Sequence, residues 1–166
     1  MLFNSFNFLL IFLPIVLVVG LWLKGQRLLG WITGTSFVFY AFAGHVWFLV
    51  PMLFTTVLDF FVAQRMQAAR GRSRRHWLYL SLAGNLGLLM YFKYSRLFWP
   101  SVNVILPAGI SFYTFQTLSY IIDVYRSECE AERGFLRFAG FVSFFPHLVA
   151  GPLTRHNQLI PALAGI

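Results

Sequence analysis

An all-α polytopic integral membrane protein is the fold class that this sequence predicts. Three observations carry it: 58% of the residues are hydrophobic, only 11% are charged, and the apolar residues gather in long runs separated by short basic gaps. A water-soluble domain carries about a quarter charged residues, so this chain has too little polar surface to coat a globule in water. Strands of a membrane barrel would alternate apolar and polar residues with period two, and no run does. Helices satisfy every backbone hydrogen bond within one segment, which is what hydrocarbon requires.

Six membrane-embedded helices are expected within a single domain over residues 1–166, near residues 6–23, 28–43, 46–66, 77–94, 106–125 and 135–153. The first run is long enough to cross a hydrocarbon core of about 30 Å. Lys24 and Arg27 follow it and no basic residue precedes it, so it reads as a retained helix rather than a signal peptide. The turn at Gly44–His45 divides the second run from the third. After the third, residues 67–76 form an arginine-rich loop that packs together Arg70, Arg72, Arg74 and Arg75. An interfacial loop with Trp99–Pro100 follows the fourth run. The fifth is the most polar, and Pro146, Gly151 and Pro152 interrupt the sixth.

The basic residues set orientation. The net charge of +8 comes from 13 Lys and Arg against 5 Asp and Glu, and the excess lies in the gaps rather than along an aromatic readout surface. That distribution argues for membrane insertion and against a nucleic-acid partner. With loop 67–76 cytoplasmic, alternation places Lys24 and Arg27 and the Arg126 to Arg137 loop there too, and the amino terminus outside. Cys129 is the only cysteine, so no intrachain disulfide forms.

Ionisable residues inside the runs need explanation, because a charge at a helix centre costs about 2.5–3.5 kcal/mol on insertion scales. Asp59, Lys93 and Asp123 each lie within about two turns of a run's end, where snorkelling lowers that cost. Asp123 is also three residues from Arg126, a spacing that pairs the two on one helix face.

Tyr113, Gln116, Thr117 and Tyr120 fall at i, i+3, i+4 and i+7 and share one face of the fifth run. That face turns from lipid, either to hydrogen-bond neighbouring helices or to line a substrate path. Broken backbone at membrane depth is tolerated only inside protein or beside a cavity, which directs His147, between the two prolines, toward the interior. A lone histidine is also an ordinary structural residue, and both readings stand. His45, His76 and His156 have no metal-ligand spacing, no nucleotide-binding or hydrolase motif is present, and no metal or covalently bound cofactor is expected.

Four stretches carry a family resemblance. They are Met1 to Pro14, Tyr91-Phe-Lys-Tyr94, Leu106 to Arg126 (opening Leu-Pro-Ala-Gly-Ile-Ser-Phe-Tyr) and Phe145-Pro-His-Leu-Val-Ala-Gly-Pro-Leu-Thr-Arg155. Together they resemble the amino-terminal part of the membrane-bound O-acyltransferase superfamily, in its bacterial alginate O-acetylating branch. The resemblance implies the amino-terminal portion of that helical fold, in a bacterial cytoplasmic (inner) membrane. It implies an acyl group taken from a cytoplasmic donor, acetyl-CoA, and passed through a central cavity toward a polysaccharide acceptor outside, with extracytoplasmic partner proteins. The family's catalytic histidine lies in a carboxy-terminal half that this chain does not match. No residue here is therefore expected to be catalytic, and the chain alone is expected to be inactive, as a truncation, gene fragment or piece of a split enzyme. Tyr113, Gln116, Thr117, Tyr120, His147 and Arg155 are the candidate cavity-lining residues. A transporter or channel subunit, which would show internal repeats, and a non-catalytic membrane scaffold are the alternatives.

Overall fold

A computed structural model of the chain describes residues 8–43, 46–98, 107 and 109–144, and every regular element among them is helical. A π-helical turn, Phe8–Phe12, leads into α1 (Leu13–Trp22). Pro14 lies in the first turn of α1, where a missing amide is tolerated. Next come α2 (Gln26–Ala43), a 3-10 turn at Val46–Phe48, and α3 (Leu49–Ala68). The remaining helices are α4 (Arg72–Phe98), α5 (Ile110–Arg126) and α6 (Phe135–Ser143).

One boundary corrects the sequence expectations. The arginine-rich loop is mostly helix: α3 runs to Ala68 and α4 begins at Arg72, so Arg72, Arg74 and Arg75 occupy the first turn of α4. Arginine is a good helix former, and Gly71 supplies the left-handed turn (φ 60°) that separates the two helices in three residues. The sixth helix stops at Ser143, with Phe144 already non-helical at ψ 101°. The expected continuation to residue 153, the Gly44–His45 turn and the Trp99–Pro100 loop lie outside the described residues.

Among the described residues one helix, Val46–Ala68 including its 3-10 turn, is long and apolar enough to cross a membrane, and Leu10–Trp22 is a shorter apolar helix. The longer α4 carries three arginines in its first turn and Lys93 near its end.

Helix α3 is the hub, packed against both α4 and α5, while α2 lies along α6. Phe60 from α3, Tyr120 from α5 and Phe138 and Phe141 from α6 form an aromatic core with ring centroids 5.1–6.2 Å apart. The distribution of polarity is the reverse of a soluble domain. Leu21, Trp22 and Trp47 are 80% or more exposed, whereas Asp59, Ser81, Asn85, Thr114 and Thr117 have no exposed surface. An apolar outside of this extent marks a surface made for lipid or for other protein, and the interior polar groups hold the helices to one another. Many hydroxyls are satisfied within their own helix: Thr33 donates to the Leu29 carbonyl, Ser36 to Ile32, Thr56 to Met52 and Ser143 to Ala139.

The basic turns meet at one end of the bundle. Arg74 Nη2 donates to the Val124 carbonyl at 2.7 Å and to Ser127 Oγ at 2.8 Å, which puts the start of α4 beside the end of α5. The Ala131 amide donates to Gln67 Oε1 at 2.7 Å, so the end of α3 is there too. A methyl placed on Gly30 would lie 4.0 Å from Leu136 Cδ2, so the first turns of α2 and α6 are neighbours. The segments containing Arg27, Arg70 to Arg75 and Arg126 to Arg137 therefore share that end.

Candidate functional site

The polar face expected on α5 exists, and it points inward: Tyr113, Gln116, Thr117 and Tyr120 are each at most 2% exposed. Gly109, in the left-handed conformation at φ 74°, opens the helix and sets its direction. Each of the four side chains reaches a different neighbour. Tyr113 meets Tyr40 of α2 edge to face, with ring centroids 6.3 Å apart. Gln116 Nε2 donates to the Phe141 carbonyl of α6 at 3.0 Å. Thr117 Oγ1 donates to the Thr114 carbonyl at 3.1 Å and approaches Asn85 Oδ1 of α4 at 3.4 Å. Tyr120 accepts the Glu132 amide at 2.8 Å, fastening the α5–α6 connection to the core.

Thr117 belongs to a larger buried cluster that sequence reasoning missed. Asp59 of α3 accepts from Ser81 Oγ at 2.5 Å and from Asn85 Nδ2, which lies 2.9 Å from both carboxyl oxygens. Asn85 Nδ2 also donates to the Ser81 carbonyl at 3.0 Å. Asp59 thus does not snorkel; it lies wholly buried between three helices. What misled was counting Asp59 from the end of its own run. Ser81 and Asn85, one turn apart on the fourth run, were a readable complementary pair. Near them a methyl at Gly84 would come within 2.5 Å of Leu58 Cδ2, so a glycine permits the close approach of α3 and α4 that the cluster needs.

The seam holds open hydrogen-bonding capacity. Gln116 Oε1 and Thr114 Oγ1 are buried and have no partner among the described residues. Both belong to the same two turns of α5. A buried acceptor left unpaired costs about 1–3 kcal/mol, and such atoms mark places where water, an ion or a ligand group is accommodated.

The remaining ionisable residues resolve differently. Lys93 is exposed, with Nζ 5.6 Å from the Tyr94 ring centroid. Arg126 makes an ion pair with Glu128 at 3.9 Å. His147 and Arg155 lie outside the described residues, as does His45. Among the described residues no three His, Cys, Asp or Glu side chains gather as metal ligands.

The chain is 40% identical to a probable alginate O-acetylase of Pseudomonas aeruginosa, over 96% of its own length and 34% of that protein's. It is 39% identical to a probable alginate O-acetylase of Azotobacter vinelandii, over 96% of its length and 35% of the relative's. A peptidoglycan O-acetyltransferase of Helicobacter pylori is 32% identical over 79% of the chain and 32% of that protein. The chain therefore spans about a third of the length of the curated relatives it matches. No family model matches it, and no solved structure does.

Proposed function

We propose that the chain is part of a membrane-bound O-acyltransferase, a multi-pass enzyme that O-acetylates a hydroxyl-bearing polymer, alginate first among the candidates. The observation that carries this reading is the 40% identity running through 96% of the chain. In this reading the enzyme lies in a bacterial cytoplasmic membrane. It takes its acyl group from cytoplasmic acetyl-CoA and works with extracytoplasmic partner proteins.

The chain's own residues supply positioning. Tyr113, Gln116, Thr117 and Tyr120 would line one wall of the acyl path, His147 and Arg155 remain candidates for it from the sequence alone, and none is assigned the role of base. The two unpartnered acceptors, Gln116 Oε1 and Thr114 Oγ1, support the choice of wall. An unpaired amide oxygen would accept a hydroxyl proton from an acceptor sugar or from an ordered water. The Asp59 cluster stands behind this wall and fixes α5 against α3 and α4.

A chimera tests the proposal. This chain replaces the matching third of the Pseudomonas aeruginosa alginate O-acetylase, and ester-linked acetate on alginate is measured. Acetylation should persist, and Gln116→Leu should lower it at equal membrane abundance. A chimera that inserts stably and leaves alginate unacetylated would refute the assignment.

A further inference from the structure

Arg72, Arg74 and Arg75 in the first turn of α4, with Gly71 and Tyr125, line an open cleft of about 660 Å³ at the basic end of the bundle. We propose that this cleft is a binding site for a phosphate group, carried either by an anionic phospholipid or by a soluble phosphate. Neither the acetyl-transfer reading nor the polar seam requires such a site.

Three observations converge on it. The arginines occupy the positive end of the α4 dipole, where cations are disfavoured, and four first-turn amides add unpaired donors there. An arrangement that concentrates like charge in this way needs an anion to offset it. Among the described residues the ion pairs of Arg126 with Glu128 and Arg137 with Glu132 involve none of Arg70, Arg72, Arg74 and Arg75, and Glu128 and Glu130 border a separate cleft on the other side of Arg74. No carboxylate lines the cleft.

Arg74 is held in place by neutral groups. Its Nη2 is tied to the Val124 carbonyl and Ser127 Oγ, and its guanidinium carbon lies 5.8 Å from the Tyr125 ring centroid. Its Nε is buried without a partner. Arg74 thus forms a fixed floor between this cleft and the one that Glu128 and Glu130 border, while Arg72 and Arg75 stand exposed at the rim. Two rim guanidiniums flanking a fixed third can grip phosphate oxygens bidentately.

Position selects the level of the ligand. The apolar helix α3 ends at Ala68, three residues before the cleft begins at Gly71. That boundary corresponds to the headgroup region, where basic pockets between membrane helices receive anionic headgroups. The cleft is also open to water, so a soluble phosphate has access.

The test uses the full chain in phosphatidylcholine bilayers with spin-labelled phosphatidylglycerol as tracer, and inorganic phosphate as the soluble probe. Arg72→Gln/Arg75→Gln changes two exposed side chains and should leave the fold intact. Arg27→Gln, at the same end but outside the cleft, is the control. A phosphatidylglycerol preference that falls about tenfold or more in the double variant, and not in the control, supports the site with a lipid ligand. Thermal stabilisation by millimolar phosphate that the double variant loses, without lipid preference, supports the site with a soluble ligand. If neither appears, or if Arg27→Gln lowers binding as much, the cleft is not a phosphate site.

Discussion

At Asp59 the interior holds a carboxylate whose two oxygens are both supplied with donors from α4. Removing the acceptor strands the Ser81 hydroxyl and the Asn85 amide where no water replaces it. Asp59→Ala is therefore expected to lower unfolding stability by about 2–4 kcal/mol, read as the denaturation midpoint in detergent. Asp59→Asn keeps one acceptor oxygen and should lose about half as much; equal losses would mean that volume, not hydrogen bonding, is at stake. Cys129, in the connection between α5 and α6, offers a second test. Burial pushes its thiol up to about 11, with the Asp123 and Glu128 carboxylates adding to the effect. At pH 8 only about one thiol in a thousand is then ionised, against roughly a quarter for a free cysteine. Allowing for the higher nucleophilicity of the more basic thiolate, alkylation at pH 8 should be about twentyfold slower than for free cysteine. The rate should climb with pH to about 11, and a plateau below pH 9 would contradict this. Residue-level legibility was uneven for a physical reason. The Tyr113 to Tyr120 stripe was readable because helical periodicity alone puts four polar groups on one face. Ser81 and Asn85 were readable as a pair on the fourth run, but that they meet Asp59, 22 and 26 residues away in sequence, only packing decides.

At the level of the element, helix ends decide how the bundle is fastened. Helix α5 closes on Ser127, a non-glycine residue at φ 63°, with the Glu128 amide bonded back to the Asp123 carbonyl at 2.9 Å. This is a Schellman-type ending normally given to glycine. Ser127 accepts the strain, and its hydroxyl receives Arg74 from α4. Ser127→Gly should therefore be nearly neutral, relief of strain offsetting the lost hydrogen bond. Ser127→Ala keeps the strain without the bond and should cost about 1 kcal/mol. The same denaturation assay separates them, and an order reversed between glycine and alanine would discount the strain. The α5–α6 connection depends on Tyr120, whose hydroxyl accepts the Glu132 amide. Tyr120→Phe removes that acceptor, so hydrogen exchange at Glu132 should accelerate by about fivefold or more while the aromatic core stays packed. The core positions of these helices were legible from hydropathy, but their ends were not. Nothing in a run of arginines says whether the chain is loop or helix, since arginine supports both; Gly71 was the available sign that the turn is short.

Across the whole molecule, the three basic segments were expected on one side of the membrane from alternation alone. The bundle independently brings them to one end through Arg74 with Val124 and Ser127, Gln67 with Ala131, and Gly30 beside Leu136. Alternation and packing are separate constraints, one counting crossings and the other measuring contacts, so their agreement bears on topology. Because cytoplasmic segments keep an excess of Lys and Arg, we propose that this end faces the cytoplasm. The prediction is that Arg70→Cys, made in a Cys129→Ala background, is not labelled by a membrane-impermeant maleimide in intact cells and is labelled once the membrane is opened. Arg70 is exposed and lies in the α3–α4 turn, so shielding by protein would not explain a lack of reaction. Arg133→Cys, in the α5–α6 connection, should behave identically because the two connections are bonded together through Gln67 and Ala131. Labelling of both from outside would invert the bundle and keep its architecture. Labelling of one alone would break the common end, and with it the packing of α3 against the α5–α6 connection.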